Sequence, residues 1–194
     1  MTENTMSTIL IADDVGEGRY LLTSLLEGHG YEVNAAANGV EALARARAVP
    51  PDLVLTDLMM PMMDGFELCR QWKSDPRLCR IPFVVYTATY TGEKDERLAL
   101  ELGADRFLTK PMENDGLIQV IREVLGQARR DPGSVHIPLP GRELALLQDH
   151  NDALLRKLQK KVVELEAASA GRARIADEAR QANAFLDSII ENIP

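Results

Sequence analysis

The first 130 or so residues of this chain alternate between two textures, and that alternation constrains the fold more than any other feature. Short apolar runs recur as "TILIADD" from Thr8, "YEVNAAA" from Tyr31, "DLVLTD" from Asp52, "IPFVVYTA" from Ile81 and "RFLTKP" from Arg106. Between them lie segments with apolar residues at helical spacing. The first, "EGRYLLTSLLEGHG", offers Tyr20, Leu21 and Leu25 as an apolar face and stops at Gly28 and Gly30. "NGVEALARARAV" begins with Asn38, a residue suited to cap a helix. "GFELCRQWK", "GEKDERLALELGA" and "NDGLIQVIREVLGQARR" complete the series. Each run is long enough for a buried strand, and each intervening segment for a helix. Repeated βα units of this kind make a parallel sheet covered by helices on both faces.

Composition excludes several function classes. The chain has 194 residues, enough for one ordinary domain and an appendage, with 45% hydrophobic and 27% charged residues. A net charge of −8 disfavours binding to nucleic acid or to anionic membrane surfaces. No apolar run approaches the roughly 20 residues that span a bilayer, and "MTENTMST" lacks the pattern of a signal peptide. A cytoplasmic protein is expected. Cys69 and Cys79 lack the further Cys or His residues that would complete a metal set, and are expected to be reduced bystanders.

The texture changes after Arg130. "DPGSVHIPLPG", residues 131–141, is a Pro- and Gly-rich connector. From Arg142 to about Asn192 there is no proline and one glycine, Gly171, while Leu144, Leu147, Leu154, Leu158, Val162 and Leu165 recur three or four residues apart. This predicts one long coiled-coil helix, and about 50 residues at ~1.5 Å each reach on the order of 75 Å. Its apolar stripe needs a partner, and a second copy is the natural one, so residues 142–192 are expected to form a homodimer. Asn151 on the stripe, the stutter Leu154–Leu158–Val162 and the weak stretch around Gly171 mark places where the supercoil loosens.

Reactive groups in a doubly wound sheet gather at the carboxyl ends of strands. Strand one ends in Asp13 and Asp14, strand three in Asp57, strand four near Thr87 and strand five at Lys110-Pro111. Three carboxylates, a hydroxyl and an ammonium should therefore converge. Clustered carboxylates call for a cation, and Mg²⁺, which takes oxygen ligands, fits. One carboxylate oxygen would then be free to attack phosphorus, with Lys110 and Thr87 stabilising the phosphoryl oxygens.

The ordered set "ADD", "LTDLMMPMMDG", "YTA" and "FLTKP" resembles the receiver domain of two-component response regulators over roughly residues 8–130. The resemblance implies a flavodoxin-like sheet of five parallel strands with five helices. It implies that Asp57 accepts phosphoryl from a histidine kinase or phosphotransfer protein. Asp13, Asp14 and Asp57 with the Met59 backbone carbonyl would hold Mg²⁺. Lys110, joined by a cis bond to Pro111, would pair with the phosphoryl group, Thr87 would be the switch hydroxyl, and Phe107 stands where the family has a rotating aromatic. Gly65 permits a tight entry to the third helix. Met59 and Thr89 lie two residues beyond the acceptor and the switch hydroxyl. A methionine cannot position a hydrolytic water, so a long-lived acyl phosphate is expected.

Rival chemistries fit less well. An aspartyl phosphatase would carry a second acid where Met59 stands, and a flavin binder would want a better phosphate loop than "DDVGEG". No turnover of an external substrate is expected. A constitutive dimeriser with an idle receiver is the alternative function. His29, His136 and His150 are expected to be surface residues rather than phosphorelay histidines. The last residues, "NAFLDSIIENIP", resemble the lead-in helix of a PAS sensor domain. That resemblance implies a downstream sensor or output domain.

Overall fold

The computed structural model describes residues 6–89 and 92–130. The connector, the long helix, its dimer interface, the PAS-like phrase, His136 and His150 lie outside the described residues. Within them, β1 (Thr8–Ala12), α1 (Gly16–Gly28), β2 (Glu32–Ala36), α2 (Gly39–Ala48), β3 (Leu53–Thr56), α3 (Gly65–Ser74), β4 (Phe83–Thr87), α4 (Glu93–Glu101), β5 (Arg106–Thr109) and α5 (Asn114–Arg130) alternate along the chain. The five strands form one parallel sheet in the order β2-β1-β3-β4-β5. This is the flavodoxin-like order, in which the crevice between β1 and β3 is the switch point where ligands bind.

Strand alternation builds two cores. Leu10, Val54, Phe83 and Val85 face α2, α3 and α4, meeting Leu43, Leu68, Trp72 and Leu98. Ile9, Ile11, Leu55 and Val84 face the other way, towards Leu26 of α1 and Leu117, Ile121 and Val124 of α5. Trp72 packs edge-on to Phe83 with centroids 5.8 Å apart, and its indole N–H donates to the Ile81 carbonyl. At the edge of the sheet remote from the strands' carboxyl ends, the buried Lys73 ammonium lies 3.0 Å from Asp105 Oδ2, which also accepts the Phe83 N–H.

The helix signals act locally as their chemistry requires. Asn38 caps α2 by accepting the Glu41 N–H, and Asp64 caps α3 by accepting the Glu67 N–H. Gly30 follows α1 at φ +83 and Gly103 follows α4 at φ +104, both in the left-handed region. The apolar face of α1 differs from the sequence expectation. Leu22 and Leu25 pack on the core and Leu26 is buried, whereas Tyr20 and Leu21 are 70% and 62% exposed. The segment is apolar at five of the seven positions from Tyr20 to Leu26, so spacing alone allows two phases.

Candidate functional site

The end of β3 is threaded between its neighbours. Asp57 N–H donates to the Ala12 carbonyl of β1, and the chain then turns into α3 under Gly65. A Cβ on Gly65 would lie 2.5 Å from the Asp57 carbonyl and 2.9 Å from Leu58 Cα, so only glycine allows the helix to begin so close beneath the acid. The loop between carries Met62 in the left-handed region at φ +67, a strained conformation for a residue with a side chain.

The Asp57 carboxylate is 9% exposed as a residue and enclosed by donors. Oδ1 accepts the Thr87 hydroxyl at 2.8 Å and the Met59 N–H at 3.1 Å; Oδ2 accepts the Lys110 ammonium at 3.1 Å. The same ammonium donates to Asp13 Oδ2 at 2.6 Å, while Asp13 Oδ1 takes the Val15 N–H. Lys110 thus bridges the acid after β1 to the acid after β3. Burial pulls its pKa down, but the hydrogen bond to Asp13 and the charges of Asp57 and Asp13 outweigh that, and the net shift is upward. The Lys110-Pro111 bond is cis, and Lys110 N–H donates to the Thr87 carbonyl, tying β5 to β4 at the site.

Asp13, Asp57, Thr87 and Lys110 are therefore brought together, and the Met59 backbone touches the acceptor through its N–H. Asp14 is exposed in the β1–α1 turn. Among the described residues no three acids or other ligating side chains are grouped to hold a metal. Between Asp13 and Asp57 the Lys110 ammonium supplies positive charge. The donor set still fits Mg²⁺ in kind, because Asp13, Asp14, Asp57 and the Met59 carbonyl offer only hard oxygen ligands. Phe107 is half-buried and packs against the core beneath α2, α3 and α4.

Thr87 has one hydroxyl proton and two acceptors at 2.8 Å, Asp57 Oδ1 and the Thr89 carbonyl. It is fully buried. The two groups expected to be drawn to a phosphorylated Asp57 are in contact with it in the unmodified chain.

Two residues at the site were not singled out from sequence. Arg19 of α1 donates from Nη1 to the Asp13 carbonyl. Tyr86 places its ring 5.2 Å from the Lys110 ammonium. A signal for Tyr86 exists: it is the one hydroxyl-bearing residue among Phe83–Tyr86, and a buried tyrosine hydroxyl usually finds a polar partner.

A doubly wound sheet with buried acids at its β1/β3 switch point, one of them held by a hydroxyl and an ammonium, defines the class of protein. The chain belongs to the response regulator receiver domain family, whose model matches residues 9–122. It is 40% identical over 120 residues to protein PilH of Pseudomonas aeruginosa, an alignment covering 62% of this chain and 98% of PilH. It is 43% identical over 116 residues to response regulator PleD of Caulobacter vibrioides, covering 60% of this chain but only 25% of PleD. Among solved structures it is similar to the signal receiver domain of a signal transduction histidine kinase from Syntrophus aciditrophicus (TM-score 0.60, 35% identity, 64% of this chain and 93% of that one). Vibrio cholerae chemotaxis protein CheY4 is also similar (TM-score 0.59, 30% identity, 62% and 99%).

Proposed function

We propose that Asp57 accepts a phosphoryl group from a histidine kinase or phosphotransfer protein. The observation that carries this is the enclosure of one carboxylate, on the rigid end of β3, by the Thr87 hydroxyl and the Lys110 ammonium. An Asp57 oxygen forms the new bond to phosphorus as the P–N bond of the donor breaks, and the imidazole keeps the electron pair. Lys110 and Thr87 stabilise the charge on the phosphoryl oxygens. Asp13, Asp14, Asp57 and the Met59 carbonyl would hold Mg²⁺, which supplies further charge neutralisation when bound. Met59 N–H orients the acceptor carboxylate.

Transfer is stoichiometric, with no external ester turned over. The family defines the module, and the helix over residues 142–192 is the proposed route by which a homodimer passes the change to a downstream sensor or output domain. The cytoplasm is the proposed compartment, supported by the free thiols of Cys69 and Cys79. Nucleic acid and membrane are not proposed partners. The test is incubation with acetyl phosphate and Mg²⁺, read by intact mass. The wild type should gain about 80 Da, one phosphoryl group, and Asp57→Asn should gain nothing. An equal gain in both would move the acceptor elsewhere.

A further inference from the structure

We propose that Tyr86 is a positioning residue for Lys110, its ring holding the ammonium over the acceptor and its hydroxyl tying that lysine to the start of α5. This rests on Asp57 being the acceptor. Tyr86 lies on β4 one residue before Thr87, and its side chain points to the opposite face of the sheet, into the core shared with α1 and α5. It is 8% exposed. Its ring centroid is 5.2 Å from Lys110 Nζ, within the range where a cation is attracted to the negative face of an aromatic ring. Its hydroxyl accepts the Met112 N–H at 3.4 Å, two residues beyond Lys110. One side chain therefore touches both Lys110 and the segment that leads into α5.

The arrangement answers a mechanical need. The lysine side chain is 21% exposed and reaches in a long flexible stem to two carboxylates. Four rotatable bonds must be held for the ammonium to meet Asp57 Oδ2 rather than spend its time on Asp13 alone. The carboxylates attract the ammonium along the plane of the strand ends, and the ring supplies the remaining support from the face occupied by α1 and α5. When a phosphoryl group on Asp57 draws Lys110 away from Asp13, its second partner, the contact with Tyr86 would change. The Met112 N–H, held by the same tyrosine, is where that change would enter α5. A core-filling tyrosine would equally be buried, so the test must separate shape from ring electrostatics.

Replacing Tyr86 by phenylalanine keeps the ring, and replacing it by pentafluorophenylalanine keeps the shape while reversing the ring's charge distribution. With acetyl phosphate and Mg²⁺, Tyr86→Phe should phosphorylate within about twofold of wild type, and the pentafluoro variant about three- to tenfold more slowly at saturating donor. Donor half-saturation should stay unchanged, because Lys110 acts on the charge that develops during transfer. In proton NMR the Lys110 ε-methylene should show a ring-current shift in wild type and Tyr86→Phe, and lose it in Tyr86→Leu. Equal rates for the phenylalanine and pentafluoro variants would overturn the proposal, as would a phenylalanine variant as slow as the pentafluoro one. If the wild type gains no phosphoryl group, the acceptor assignment fails by itself. The ring-current shift then decides the Tyr86–Lys110 contact alone, and its absence in wild type overturns that contact.

Discussion

Lys110 is the residue on which the charge balance of the site turns. In the unmodified chain its ammonium bridges Asp13 and Asp57 and offsets one of their two negative charges, so it competes with any divalent cation for Asp13. Lys110→Met should therefore bind Mg²⁺ more tightly, by about tenfold or more, since two unit charges about 4 Å apart repel by about 4 kcal/mol at an effective dielectric near 20 and tenfold needs only about 1.4 kcal/mol. The same variant should phosphorylate far more slowly. Calorimetric titration gives the first quantity and intact mass the second; weaker Mg²⁺ binding in the variant would show that Lys110 assembles the metal site rather than competing for it. The pH dependence follows from the upward shift of Lys110. Its contribution to stability is fully present below the unfolded-chain value of about 10.4 and is lost as pH rises through the raised folded value. Stability should thus fall on the alkaline limb, and Lys110→Met should remove that part of the fall. Met59 argues for a slow reverse reaction. Met59 is half-buried with its N–H on the acceptor carboxylate, and a thioether is too weak an acceptor to align a water for attack. The acyl phosphate should outlast minutes, and Met59→Asn should shorten its life; loss within seconds in the wild type would contradict the argument.

At the scale of elements, the β3–α3 loop is where fold and chemistry meet. Gly65 lies with no room for a Cβ beneath Asp57. Gly65→Ala should destabilise the domain by about 2–3 kcal/mol through forced displacement of the loop, and slow phosphorylation because the Asp57 and Met59 main chain must move. Denaturant titration should show a lower midpoint with an unchanged slope; an unaffected midpoint would mean the helix start shifts freely. This loop also shows what the sequence made legible. The five strands, their helices, the Asn38 cap and the glycine stops follow from patterns confined to a few adjacent residues. So does the placement of Asp13, Asp57, Thr87 and Lys110 at one edge, because a parallel sheet sends every strand's end the same way. The phase of α1 was not legible, since Tyr20, Leu21, Leu22, Leu25 and Leu26 satisfy helical spacing in two ways. The Lys110 bridge was not legible either, nor the exposure of Asp14, because each depends on distances between segments far apart in sequence. Tyr86 carried a local signal, its hydroxyl in an apolar strand, but its partner Lys110 lies 24 residues away, and nothing in local pattern pairs Arg19 with Asp13.

For the molecule as a whole, the question is how a change of charge at one buried carboxylate would reach the segment over residues 142–192. Thr87 and Lys110 contact Asp57 before phosphorylation, so the signal cannot consist of their arrival. It must lie in what they release. The Thr87 proton has Asp57 Oδ1 and the Thr89 carbonyl as equidistant acceptors, and Lys110 has Asp13 as its second partner. A phosphoryl group on Asp57 would bias both choices, and with them the end of β4 and the approach to α5. Couplings of this sort are worth about 1–3 kcal/mol, or roughly 5- to 150-fold in an equilibrium. If residues 142–192 form the proposed coiled coil, Asn151 and the Leu154–Leu158–Val162 stutter would leave it a register that such a bias could move. Disulfide crosslinking along that stripe is the direct measure. The native thiols leave a clean background: Cys69 is buried and its pKa is pushed up to about 12 by that burial, so it forms no thiolate near neutral pH, and only Cys79 needs replacing by serine. Cysteines introduced one at a time from Leu144 to Leu165 should crosslink between protomers with a periodicity of three and four. Addition of beryllium fluoride with Mg²⁺ should shift the preferred positions on the carboxyl-terminal side of the stutter more than on the amino-terminal side. Identical patterns with and without beryllium fluoride, in a protein whose Asp57 does take up phosphoryl, would show that the helix joins the two copies without carrying the signal.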